Sequence, residues 1–257
     1  MYINFDGRID PLNKSFVPNF SKLSDDEIQS FATTVANHVC GDDNVDGMGW
    51  DVEPFDNNQI PFFTALDAKI TACNKEWGVF AFGESFSDDM WNLGLGHSGF
   101  LLDSAYDLDC DSTALPPRGC TPCQCTPPLV YQSILLAHLT RVTALAKKYA
   151  KPYRLMVSGS GTTQMFETLT TSYCSGANGG PAYDNSCPHT MAEWMTAALT
   201  VFDTLNVKQD PLFQGIGIYG WTTTNGAGFS PVTPPSNAIE VLAKRGYLPY
   251  AGPSSEN

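Results

Sequence analysis

Basic residues are scarce in this 257-residue chain: 14 Lys and Arg stand against 27 Asp and Glu, a formal net charge of -13. A surface of that sign repels phosphate backbones and anionic lipid, so neither nucleic acid nor an acidic membrane is expected as a partner. Histidine is rarer still, with four residues. His97, His138 and His189 fall in unrelated segments, which leaves no assembled metal triad and no Ser/His/Asp triad. His38 lies near the end of a capped helix, where a C-terminal helix residue is the simplest role. No apolar run approaches the roughly 18 residues of a membrane span, so none is expected. Met1-Tyr2-Ile3-Asn4-Phe5-Asp6 lacks the basic start and apolar stretch of a signal peptide. Gly159-Ser160-Gly161 lacks the Lys of a phosphate loop and reads as a turn. Internal repeats and low-complexity tracts are missing as well.

Cysteine, in contrast, is plentiful. An even set of eight (Cys40, Cys73, Cys110, Cys120, Cys123, Cys125, Cys174, Cys187) argues for an oxidising compartment, hence a secreted or lumenal protein. A metal knot at Cys110, Cys120, Cys123 and Cys125 competes with local disulfides, and the absence of a nearby His favours disulfides. Cys174 with Cys187 would close one loop. Cys40 with Cys73 would tie two helix ends, although connectivity does not follow from sequence.

With 42% hydrophobic residues the chain can bury one large core. Its rhythm is strand then helix. Strands are predicted at Tyr2–Asp6, Val45–Pro54, Trp77–Gly83, Phe100–Asp107, Tyr153–Gly159 and Gly215–Trp221. Between them, Ser24-Asp25-Asp26-Glu27 is a capping box, followed by Ile28, Phe31, Ala32, Val35 and Val39 at helical spacing. Further helices are predicted over 60–73, 129–149, 191–205 and 237–244. Alternation of this kind means a parallel sheet with helical crossovers. The expected fold is α/β, one domain over 1–250 with a Cys/Pro-rich insertion at 109–128 and a disordered tail at 251–257.

The stretch that carries chemistry is Asp46-Gly47-Met48-Gly49-Trp50-Asp51-Val52-Glu53-Pro54. In a strand, Gly49, Asp51 and Glu53 take one face while Met48, Trp50 and Val52 take the other. The Asp51 and Glu53 α-carbons are then roughly 7 Å apart, close enough for their carboxyls to share a proton and for one pKa to rise. Pro54 ends the ladder, which puts Glu53 at the strand's C-terminal tip, where barrel enzymes hold their reacting groups.

This stretch resembles the D-G-x-D-x-D-x-E signature of glycoside hydrolase family 18, the chitinase and endo-N-acetylglucosaminidase family. Asp46, Gly47, Asp51 and Glu53 fall on the pattern, and Gly49 stands where the middle Asp belongs. The resemblance extends, in order, to Tyr106-Asp107 at the family's sixth strand and Trp221 at its eighth. It implies a parallel (β/α) TIM-type barrel, here an incomplete one with about six of eight strands. The first two strands, and a leader before them, are then expected upstream of Met1.

What the resemblance implies for function is retaining, substrate-assisted hydrolysis of N-acetylglucosamine-containing glycans, either a chitin-like polymer or an N-glycan core. Glu53 would be the general acid, Asp51 and Tyr106 would hold the acetamido group, and Trp221 and Asp107 would bind the sugar. An oligo- or polysaccharide is the only partner implied, with no metal and no organic cofactor. The other reading is a catalytically silent carbohydrate-binding barrel, suggested by Gly49. Glu84, at the tip of the next strand, reads as a solvated loop acid.

Overall fold

The computed structural model describes residues 2–8, 18–53, 56–105, 127–158, 191–219 and 236–247. Among these residues there are six strands: β1 (Tyr2–Arg8), β2 (Gly47–Glu53), β3 (Glu76–Ala81), β4 (Phe100–Ser104), β5 (Tyr153–Ser158) and β6 (Phe213–Tyr219). They form one sheet in the order β1-β2-β3-β4-β5-β6. Pairing is parallel from β1 through β4. Five helices alternate with the strands: α1 (Asp25–Cys40), α2 (Ile60–Ala72), α3 (Pro128–Tyr149), α4 (Met191–Thr204) and α5 (Ser236–Lys244). The class is α/β, as the strand-then-helix rhythm predicts.

The chain divides into two compact units. One comprises Met1–Asp103 with Arg141–Arg154, the other Ser104–Thr140 with Leu155–Asn257.

In the first unit, α1 begins where its sequence says it should. Ser24 Oγ accepts from the Glu27 backbone N–H at 3.4 Å, and Glu27 Oε2 accepts from the Ser24 N–H at 2.8 Å. Both bonds satisfy donors that the first helical turn leaves open. Ile28, Ala32, Val35 and Val39 then form the buried stripe. Pro61 opens α2, where no intrahelical N–H bond is lost, and Phe62, Phe63, Leu66 and Ile70 bury on its inner side.

Between these helices and β2 lies an aromatic cluster. The Trp50 ring lies 4.7 Å from that of Phe62 in a tilted contact, with Phe63, Phe31 and Phe20 around it. Trp50 Nε1 donates to the buried Gln59 side chain at 3.2 Å, so the indole is buried without an orphaned donor. Each such ring contributes on the order of 2–3 kcal/mol by leaving water. A disulfide joins Cys40 at the end of α1 to Cys73 at the end of α2, with α-carbons 5.9 Å apart. It is the pairing of helix ends that the sequence raised.

The second unit packs α4 through Trp194, Met195, Leu199 and Phe202. Asp203 on α4 accepts from Arg245 at 2.9 Å and from Tyr247 Oη at 3.0 Å, which fastens the chain beyond α5.

By length and composition α3 is apolar enough to cross a membrane, although Gln132, Ser133, Thr140 and Arg141 interrupt it. Its Tyr131, Leu135, Leu139, Val142 and Ala146 recur at helical spacing and are buried, the pattern of a helix with one core-facing side.

Strand ends also differ slightly from the sequence reading. β3 stops at Ala81 because Gly83–Ser85 turns into a short 3-10 helix. Asp103 accepts from the Gly83 N–H at 2.9 Å, and the Gly83 carbonyl accepts from Trp91 Nε1 at 2.9 Å. Those bonds take the backbone groups that a longer strand would have paired. The insertion core at 109–126, the tail at 251–257, and Cys110, Cys120, Cys123, Cys125, Cys174 and Cys187 lie outside the described residues.

Candidate active site at the carboxyl end of the second strand

β2 alternates as its sequence demands. Met48 and Trp50 are fully buried on the helix side. On the other face Gly47 and Gly49 are buried floor positions and Asp51 is half-buried. Two glycines followed by an acid make Asp51 the first side chain along that face of the strand. Glu53 is the last residue of β2. With about 3.3 Å of rise per residue, its α-carbon lies roughly 7 Å beyond that of Asp51.

Neighbouring strands define the rest of this face through register. Gly49 pairs with Gly78 of β3, and Gly78 with Phe100 of β4. A side chain on Gly78 would begin 2.4 Å from the Phe100 ring, so that ring takes the space the glycine leaves. The Arg154 guanidinium lies 4.0 Å from the centre of the same ring and pairs with Glu76 at 2.6 Å. These three side chains stopper the amino end of the face. Nearer its carboxyl end stand Phe80 and Leu102, paired in register and half-buried. On the other side of β2, β1 pairs Asn4 with Gly49, Asp6 with Asp51 and Arg8 with Glu53.

Two of the five predicted site residues, Asp51 and Glu53, fall on the described part of the chain, both on β2. Tyr106, Asp107 and Trp221 lie outside the described residues. β4 ends two residues before Tyr106, and β6 ends two before Trp221. Glu84 follows β3 and forms an ion pair with Arg141 at 3.0 Å, both partners being substantially solvated. His138 is buried on α3, and the His97 N–H donates to Asp67 at 2.8 Å. His189 lies outside the described residues.

The stretch also has the spacing of a calcium loop, with Asp42, Asn44, Asp46, Gly47 and Glu53 at its key positions. The backbone rules that use out. Gly47–Glu53 is extended, which carries Glu53 roughly 20 Å from Gly47 instead of back over the loop. Lys75 Nζ donates to the Val45 and Asp42 carbonyls, so a cation already serves the loop. Among the described residues no group of three or more His, Cys, Asp or Glu is arranged to hold a metal.

Asp67 is the acid that sequence reasoning missed. It sits on the apolar side of α2 among Phe63, Leu66 and Ile70. Its carboxylate accepts from Trp77 Nε1 at 2.7 Å, the His97 N–H at 2.8 Å, the Ser98 N–H at 3.1 Å and Ser98 Oγ at 2.5 Å. Burial pushes its pKa up, but these hydrogen bonds outweigh burial and hold it below the ordinary 3.8. Trp77 and the Gly96–Ser98 turn lie at the amino ends of β3 and β4, the rim that serves stability in parallel α/β folds. The signal was an acid at an apolar helix position; its donors come from distant turns.

The chain matches no protein-family model and no curated protein.

Proposed function

We propose that this protein is a glycoside hydrolase acting on N-acetylglucosamine-containing glycans, similar to family 18 and built on an incomplete (β/α) barrel. One observation carries the reading. Asp51 and Glu53 are the last two alternate residues of a parallel strand whose other face is locked into the core by Trp50. Ligands of parallel α/β sheets bind at that end of the strands.

In the proposed reaction Glu53 gives its proton to the glycosidic oxygen as the bond from that oxygen to the anomeric carbon breaks. The substrate's acetamido oxygen forms the new bond to that carbon from the opposite side. Asp51 accepts a hydrogen bond from the acetamido N–H, which increases the nucleophilicity of its oxygen and stabilises the positive charge that develops. Water then attacks the anomeric carbon, its proton passes to Glu53, and the acetamido group is released. Two inversions give overall retention, the substrate-assisted exception to the two-carboxylate scheme. The resemblance to family 18 assigns Tyr106 to the acetamido group, Trp221 to the sugar ring and Asp107 to a hydroxyl. The Cys40–Cys73 disulfide supports an oxidising compartment, secreted or lumenal.

Gly49 favours a second reading, a binding barrel without turnover, because the family pattern has an acid there. Proton NMR of an N-acetylglucosamine oligomer during digestion separates the two. The hydrolase gives products that first appear in the anomeric configuration of the substrate. The binder gives no products, and a Trp221→Ala exchange abolishes its retention on an immobilised oligomer. Products of inverted configuration would overturn the proposed mechanism.

A further inference from the structure

Asn19-Phe20-Ser21 carries a pattern that neither the sheet nor the proposed reaction uses. An asparagine followed two places on by Ser or Thr, with no Pro between, is the acceptor triplet for asparagine-linked glycans. In the whole sequence only Asn13 and Asn19 have it, and Asn13 lies outside the described residues. A glycan is bulky and hydrated, so a fold accommodates it only where the amide nitrogen meets solvent and holds no structural bond.

Asn19 satisfies both conditions. Phe20 is buried, its ring 5.0 Å from that of Phe62, 6.0 Å from Phe31 and 6.4 Å from Trp50. That anchor fixes the triplet on the helix side of β2, the side opposite Asp51. Ser21 and Lys22 beyond it are exposed, as is the run Ser24–Glu27, and Asn19 is half-buried. Asn19 Oδ1 accepts from the Ser21 N–H at 3.2 Å and from Ser21 Oγ at 2.7 Å. The Asn19 carbonyl accepts from the Lys22 N–H at 3.0 Å. Among the described residues, every hydrogen bond of Asn19 therefore falls on an oxygen. Nδ2 makes none, and it is not among the buried unpaired atoms, so it meets solvent. A sugar on Nδ2 removes none of these bonds, and the 3-10 turn Phe20–Lys22 stays capped.

We propose that Asn19 is an asparagine-linked glycosylation site, marked by the Ser21 hydroxyl. In the transfer Asn19 Nδ2 forms a bond to the anomeric carbon of an oligosaccharide carried on a lipid diphosphate. The bond from that carbon to the diphosphate oxygen breaks, the diphosphate leaves with the electron pair, and one Nδ2 proton passes to a base of the transferase. The Cys40–Cys73 disulfide, in the same unit, supports the oxidising compartment in which such a transfer takes place. The proposal does not rest on the hydrolase reading, because the triplet and the Asp51 face lie on opposite sides of β2.

The test is peptide mapping by mass spectrometry of the full chain secreted from a eukaryotic host. Cleavage after Lys14 and Lys22 puts Asn19 on the peptide Ser15–Lys22, separate from Asn13. The expected result is a glycan on that peptide which peptide N-glycosidase removes, converting the asparagine to aspartate. Ser21→Ala should abolish the modification, and Ser21→Thr should keep it, since either hydroxyl residue completes the triplet. An unmodified Ser15–Lys22 peptide in the secreted parent would overturn the proposal, as would a glycan that survives Ser21→Ala. Should Ser21→Ala fail to fold, Ser21→Thr still carries the expectation, and loss of the glycan in that variant would also overturn it.

Discussion

The two ends of the sheet in the first unit treat acidic residues differently. At the amino end Asp67 is surrounded by four donors, Glu76 is paired with Arg154, and Lys75 is bound to two carbonyls. The Cys40–Cys73 disulfide closes the same side, because each of its helices ends just before a strand begins. At the carboxyl end Asp51 follows two glycines and Glu53 is the final strand residue. Charge at the first end serves architecture, and the site we propose uses the second. Exchanges at the two ends should therefore separate stability from activity.

The largest stability loss is expected from Asp67→Ala. It leaves the Trp77 indole N–H and two backbone N–H groups without their acceptor. Each unsatisfied buried donor costs about 1–3 kcal/mol, so a loss of about 4 kcal/mol is expected, or a melting temperature lower by roughly 10 °C. Thermal unfolding followed by circular dichroism checks the loss. Hydrolysis per folded molecule should be unchanged below the transition, and a selective loss of turnover would break the contrast between the two ends.

A slightly smaller effect is expected from Cys40→Ser combined with Cys73→Ser. Closing a loop across 33 residues lowers the entropy of the unfolded chain, a stabilisation of about 3–4 kcal/mol. Denaturant titration of the double variant against the oxidised parent measures it. The third effect is acid-dependent. Because the folded Asp67 carboxyl is held below 3.8, its stabilisation is present above that value and is lost as pH falls through the folded midpoint. Melting temperatures measured from pH 5 down to pH 2 should fall less steeply in Asp67→Asn than in the parent. Equal slopes would show that the Asp67 network does not govern acid stability.

Elements with a strong period were legible in the sequence. Ser24 and Glu27 announced α1, and the alternation of Gly49 and Asp51 with Met48 and Trp50 announced β2 and both of its faces. Elements shaped by distant partners were not. The π-helical turn Met90–Gly94 has no sequence period of its own; Trp91 is held by the Gly83 carbonyl and by stacking on Tyr149 at 6.5 Å. Asp67 looked like a misplaced charge on an apolar stripe until its donors were known. For the site, sequence spacing could pair Asp51 with Glu53 on one strand. Only register pairs Asp6 with Asp51 and Arg8 with Glu53 along the ladder, because nothing local fixes how two parallel strands slide along each other.

The central claim is that the carboxyl end of β2 performs proton transfer and that this role is separable from folding. Glu53→Gln tests it most directly, since the amide keeps the shape but has no acidic proton to give. Turnover of an N-acetylglucosamine oligomer should fall by at least about a hundredfold, with binding kept and the melting temperature within about 2 °C of the parent. Turnover that survives the exchange unchanged would contradict the account.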